Sequence, residues 1–288
     1  MRVVFFGTSG YCLPVLRTLH QNMELGLVVT RPDQPVGRAQ VLTPSDTKLF
    51  AQEFHIPVTS PLTLKKDMPE RVDLEKKLIE IKPDLAIVCD YGLIIPEGIF
   101  KIPRIGTFNI HFSRLPEFRG PSPVQATLLR GDPTAWITIF KLTNPPELEV
   151  KMDSGPILWQ KEYPIKIDDT TQSLYTRLFE EVAKEIPIIN FEGKLTEQDH
   201  SKATFTKFLT REDGFVEFSH LLELKTYSQF QACYPWPGIW TLRQAQGEPP
   251  KRMKILKCHP GEGKLVIDEI QFEGKSPQKT FASSSIFR

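Results

Sequence analysis

Cysteine is scarce in this chain: four residues in 288, at positions 12, 89, 233 and 258, with no C-x-x-C pair among them. That spacing argues against a disulfide scaffold and against a thiolate zinc site, and fits free thiols in a reducing compartment. No apolar run approaches the length of a membrane-spanning helix, and no charged leader precedes an apolar stretch at the start, so neither a span nor export is expected. An excess of one charge is also missing, since 36 Lys and Arg stand against 35 Asp and Glu, and the net +1 carries no global signal for nucleic acid. The balance is uneven, with 13 basic against 9 acidic residues from His200 onward and 23 against 26 before it, giving a mildly basic tail on a mildly acidic body. There is no internal repeat and no G-x-G-x-x-G fingerprint; Gly7-Thr8-Ser9-Gly10 after the first apolar run makes a dinucleotide site a poor expectation.

What is present reads as an ordinary globular chain, 40% hydrophobic and 25% charged, long enough for one large domain and one small one. Continuous apolar runs at Arg2 to Phe6, Leu25 to Thr30 and Asp84 to Cys89 alternate with helical patterns at Leu13 to Leu19 and Met68 to Ile81. That alternation predicts an α/β domain built on a mostly parallel, Rossmann-like sheet with flanking helices. Thr43-Pro44-Ser45-Asp46 reads as a helix cap, and the polar, proline-bound stretch from Arg31 to Gln40 as a functional loop. Further strands are expected at 107–111, 136–140 and 156–163, and helices at 123–130 and from Asp168 onward. Leu142 to Met152 reads as a loop insertion before Asp153-Ser154-Gly155. Short apolar runs at Trp240 to Leu242, Met253 to Leu256 and Leu265 to Ile267, with a polar excursion from Arg243 to Lys251, predict a small C-terminal β-barrel.

Residues 104–123 are the chemical centre of the chain. Asn109 and His111 stand two apart on one face of a short strand, and Pro116, Gly120, Pro121 and Pro123 then forbid regular structure. An amide and an imidazole at one strand end can share a target, one stabilising an oxyanion and the other moving a proton. A histidine in that position also reads as a satisfied structural residue, and these residues alone leave both readings open. Tyr91 and Gly92 end another strand, where open parallel sheets place their ligands.

Taken together, Phe6-Gly7-Thr8, Thr30-Arg31-Pro32-Asp33 with Gly37-Arg38, Tyr91-Gly92, Asn109-Ile110-His111, Leu115-Pro116 with Arg119-Gly120, Asp153-Ser154-Gly155, Asp213-Gly214 and Pro235-Trp236-Pro237-Gly238 resemble the folate-dependent formyltransferases, and among them the methionyl-tRNA formyltransferase family. The resemblance runs nearly the whole length. It implies a formyltransferase domain over 1–190, a linker over 191–206 and an OB-like tRNA-binding domain over 207–288. By position it implies that Asn109, His111 and Asp153 are catalytic, with Asp153 fixing the imidazole tautomer. It further implies a folate co-substrate, 10-formyltetrahydrofolate, held near Tyr91, Gly92, Leu93, Ser113, Leu115, Pro116, Arg119 and Gly120, and initiator methionyl-tRNA held by Arg38, Lys207 and Arg211. A cytoplasmic monomer without metal is expected.

The chain departs from the family pattern at Asp90, at Arg114 in place of a usual leucine, at Trp136 in place of a usual glycine, and at Ala39, Gln40 and Val41, where lysines usually follow Arg38. Rival readings are a formyltransferase acting on a nucleotide-linked amino sugar, a formyltetrahydrofolate hydrolase, and a folate- or RNA-binding protein without catalysis. Arg119 also reads as a fold-holding ion-pair partner.

Overall fold

A computed structural model describes residues 1–37, 39–144, 152–243 and 249–280. In chain order the elements are β1 (Arg2–Gly7), α1 (Leu13–Asn22), β2 (Glu24–Val29), β3 (Gln34–Val36), β4 (Val41–Thr43), α2 (Asp46–Glu53), β5 (Val58–Thr59), α3 (Pro69–Ile81), β6 (Leu85–Cys89), α4 (Glu97–Phe100), β7 (Gly106–His111), α5 (Pro123–Arg130), β8 (Thr134–Lys141), β9 (Ile157–Pro164), α6 (Thr171–Glu185), α7 (Lys225–Cys233), β10 (Ile239–Arg243), β11 (Lys251–Pro260), β12 (Leu265–Phe272) and β13 (Gln278–Lys279). They fall into two compact units that interleave along the chain, one of Met1–Arg119, Trp136–Glu162 and Thr176–Thr204, the other of Gly120–Ala135, Tyr163–Tyr175 and Phe205–Arg288.

The first unit is organised by a seven-stranded sheet in the order β5-β2-β1-β6-β7-β8-β9. Strands β5, β2, β1, β6 and β7 run parallel, and β8 runs antiparallel to β7. A parallel strand is covered on both faces, so it is apolar throughout: Val3, Val4, Phe5 and Phe6 of β1 and all five residues of β6 are buried. Each large apolar side chain removed from water here contributes about 1.5–3 kcal/mol. The chain leaves β1 for β2 on one side and enters β6 on the other, so the strand order switches between β1 and β6. Their carboxyl ends meet where Gly7 pairs with Cys89, the crevice where open α/β sheets hold ligands.

Helix α2 begins where its sequence says it should: Ser45 Oγ accepts the Lys48 amide at 3.2 Å and caps the first turn. The Arg31 to Gln40 stretch, read as a loop, contributes instead to a two-stranded hairpin of β3 and β4. The expected Leu142 to Met152 insertion and the Arg243 to Lys251 excursion lie in part outside the described residues.

The second unit holds the four-stranded antiparallel sheet β10-β11-β12-β13, consistent with a small barrel domain. Its core gathers Val216, Phe230, Ile239, Met253, Ile255, Leu265, Ile267 and Ile270. Helix α7 was not expected. All four cysteines are buried free thiols, and burial pushes Cys233 up to about 11 and Cys258 to about 12. No helix among the described residues is long and apolar enough to cross a membrane.

Candidate active site

Strand β7 delivers its two polar residues as the alternation requires. Phe108 and Ile110 are buried among apolar neighbours, while Asn109 stands half-buried on the face it shares with His111. His111 itself is only 6% exposed, so both ring nitrogens need partners. Its Nε2 lies 3.0 Å from the Phe118 carbonyl oxygen, and its Nδ1 lies 3.7 Å from Asp153 Oδ2. A carbonyl only accepts, so Nε2 carries a proton and donates it to Phe118. Nδ1 faces the carboxylate, so the ring stands between two acceptors, the Phe118 carbonyl on one side and the Asp153 carboxylate on the other.

Asp153 sits in the left-handed region, at φ +50°, a conformation aspartate tolerates better than most residues. Two residues on, a side chain at Gly155 is impossible, because a Cβ there would stand 1.8 Å from the Lys141 carbonyl oxygen. The turn is tied down by Gln198, whose Nε2 donates to the carbonyls of Asp153 and Gly155 at 2.8 and 2.7 Å. Gln198 escaped the sequence reading, since a lone glutamine in a polar segment carries no pattern. Thr138 escaped it as well. Opposite His111 in the β7–β8 register, its hydroxyl donates to the Ser113 carbonyl at 2.6 Å, accepts from Gln160 Nε2 at 2.9 Å, and lies 3.4 Å from the Leu115 amide.

The residues expected to hold a folate are placed unequally. Tyr91 is 2% exposed, with its ring edge-on to Phe6 at 5.4 Å. Burial pushes its phenol above the usual range, against the pull of Arg31. Neither Tyr91 Oη nor Arg31 Nε makes a hydrogen bond among the described residues, although both atoms are buried. Gly92 has φ +79°, a conformation that suits glycine. Leu93 packs against the core cluster that contains Tyr91, and Ile94 is 84% exposed.

Ser113 is buried and donates to the Glu117 carbonyl at 2.6 Å; Leu115 is buried and Pro116 half-buried. Arg119 turns inward. Its guanidinium is bonded to Gln198 and lies 2.8 Å from His200 Nδ1, and its residue exposure is 1%. Burial lowers its pKa, and the Asp153 charge opposes that shift. Gly120 belongs to the second unit, against Thr206.

Of the expected RNA-binding residues, Arg38 lies outside the described residues. Lys207 is exposed and paired with Asp213 at 2.9 Å. Arg211 is exposed, and its carbonyl accepts from the Trp240 indole at 2.9 Å. Two departures from the family pattern explain each other: the Arg114 guanidinium stands over the Trp136 ring, 4.7 Å from its centroid. Asp90 is exposed, with φ +51°.

A family model described as formyl transferase matches residues 1–188. The methionyl-tRNA formyltransferase of Deinococcus radiodurans is 34% identical over 96% of this chain and 90% of its own. That of Geobacter sulfurreducens is 32% identical over 100% and 94%. The chain belongs to the methionyl-tRNA formyltransferase family.

The formyl transferase match ends just past α6, whereas the methionyl-tRNA formyltransferase relatives carry the likeness through the antiparallel sheet as well. The fold alone separates less. The methionyl-tRNA formyltransferase from Clostridium thermocellum superposes with a TM-score of 0.60 at 17% identity, covering 95% of this chain and 99% of its own. A sugar 3N-formyl transferase reaches 0.58 at 19%, covering 96% and 99%. Sequence identity along both units, not topology, therefore distinguishes the two readings. Among the described residues no cluster of His, Cys, Asp and Glu could hold a metal ion.

Proposed function

We infer that this protein transfers a formyl group from 10-formyltetrahydrofolate to the free amino group of the methionyl moiety of initiator methionyl-tRNA. One observation carries the reading: relatives of that name match the chain at 32–34% identity across nearly all of its length, including the part beyond residue 188. A sugar formyltransferase accounts for the fold but not for that identity.

The geometry of the site supports the chemistry assigned to it. An amine attacks the formyl carbon only as a neutral nucleophile, so a base must take its proton. We assign that task to His111, a reading supported by its position between the Phe118 carbonyl and the Asp153 carboxylate. Asp153 then stabilises the imidazolium. The half-buried Asn109 amide donates to the formyl oxygen as negative charge develops there. 10-Formyltetrahydrofolate supplies the activated formyl carbon. The unpaired donors Arg31 Nε and Tyr91 Oη suit an acceptor-rich ligand, and the exposed Ile94 offers an apolar surface to a flat ring. Residues 1–190 are assigned to catalysis, 191–206 to a linker, and 207–288, with Arg38, Lys207 and Arg211, to the tRNA. We place the enzyme in the cytoplasm as a monomer.

Purified protein given 10-formyltetrahydrofolate and charged initiator tRNA should release N-formylmethionine on alkaline hydrolysis of the tRNA ester. His111→Ala should slow turnover by about 10²- to 10⁴-fold with an unchanged circular dichroism spectrum. No formylated product from the wild type, or a normal rate from the folded variant, would overturn the reading.

A further inference from the structure

We propose that Arg119 and Gln198 form a buried positioning brace that sets both partners of His111, the Phe118 carbonyl and the Asp153 carboxylate. The proposal rests on the catalytic reading of His111 and Asp153 given above.

The brace starts from a guanidinium that water does not reach. Arg119 heads the largest fully buried side chains among the described residues, and leaving a buried charge without good hydrogen bonds costs several kcal/mol. Two nitrogens of its fork meet one atom: Nε and Nη2 donate to Gln198 Oε1 at 3.2 and 2.7 Å. That fixes the orientation of the amide, since the oxygen must face the cation and the nitrogen must face away. Gln198, 5% exposed, then spends both amide protons on the Asp153 and Gly155 carbonyls.

Asp153 has little freedom of its own in that grip. Its left-handed φ costs about 1–3 kcal/mol unless the surroundings impose it, and Gly155 is pressed against the Lys141 carbonyl. The same arginine also acts through its main chain. The Arg119 amide donates to the Thr204 carbonyl at 2.8 Å, and the Phe118 amide to Thr204 Oγ1 at 2.8 Å. Those two bonds hold Phe118, itself at φ +55°, with its carbonyl 3.0 Å from His111 Nε2. A single residue thus fixes one contact of the imidazole through its backbone and the other through Gln198. His200 Nδ1 also accepts from Nη2, at 2.8 Å.

The experiment is a double-mutant cycle on kcat. Gln198→Met keeps the side-chain volume but abolishes the link, and we expect kcat to fall about 10- to 100-fold, as displacements of a catalytic group near 1 Å do. KM for 10-formyltetrahydrofolate and for charged tRNA should change less than about twofold, since Gln198 is buried and its amide is engaged by Arg119, Asp153 and Gly155. Asp153→Asn should lower kcat by itself. In the Asp153→Asn background Gln198→Met should add less than about twofold, because a residue that acts through Asp153 has nothing left to position. If the methionine variant does not fold, Gln198→Glu carries the same cycle: it keeps a partner for Arg119 and removes the donor to the Asp153 and Gly155 carbonyls. Multiplying losses in the double variant would overturn the brace. A normal kcat in Asp153→Asn would instead overturn the reading of the site on which the brace depends.

Discussion

At the scale of the residue, His111 and Arg114 show how far sequence carries chemistry. The spacing of Asn109 and His111 placed both on one face of a strand, and that alternation is a property of extended backbone that any strand obeys. Which atom holds the imidazole was not legible, because the Phe118 carbonyl is reached through a loop with Phe118 at φ +55° and main-chain groups leave no mark in a sequence. Arg114 and Trp136 were legible only as two separate oddities, 22 positions apart, until their contact at 4.7 Å made them one feature. A cation over an indole at a partly exposed site is worth about 0.5–1 kcal/mol. Arg114→Leu and Trp136→Gly, singly and together, should therefore show a coupling of about that size in urea unfolding. Strictly additive effects would mean that the stacking contributes nothing.

At the scale of the element, the parallel strands announced themselves and the helix of the second unit did not. β1 and β6 are continuous apolar runs because neither face meets water, and that requirement is written in the residues themselves. α7 reads Lys-Thr-Tyr-Ser-Gln-Phe-Gln-Ala-Cys, mostly weak helix formers. Its stability comes from elsewhere: Gln231 Nε2 donates to the Ile167 and Asp169 carbonyls, and Thr171 Oγ1 to the Ala232 carbonyl. Those partners lie about 60 residues away, beyond the reach of any local window. Asp213 organises the turn before the sheet in a similar way, accepting from the Thr210 amide and hydroxyl and pairing with Lys207. Those donors hold its carboxyl down at about 2. A carboxyl depressed in the folded state stabilises above its unfolded pKa of about 3.9, and the contribution fades as pH falls through the folded value. Asp213→Asn should accordingly lower the melting temperature at pH 7 and lower it less at pH 3. An equal difference at both would show that the charge of Asp213 is irrelevant to its role.

At the scale of the whole molecule, the arrangement of the sheet explains why residues from distant positions converge. The switch in strand order lies between β1 and β6, and Tyr91 follows β6 directly, while His111 ends the neighbouring β7. Parallel strands present all their carboxyl ends on one edge, so Tyr91, Asn109 and His111 share an edge that the linear order conceals. Asp153 joins His111 through a turn whose place no periodicity predicts. The charge balance follows the same division, with the mild basic excess beginning near residue 200, in the part of the chain where the second unit's sheet is built. The measurement that bears most directly on formyl transfer to tRNA is a competition. With limiting 10-formyltetrahydrofolate labelled on its formyl group, and charged initiator tRNA and a nucleotide-linked amino sugar both in excess, the label should appear as N-formylmethionine on the tRNA. Label recovered on the sugar, with none on the tRNA, would contradict the account.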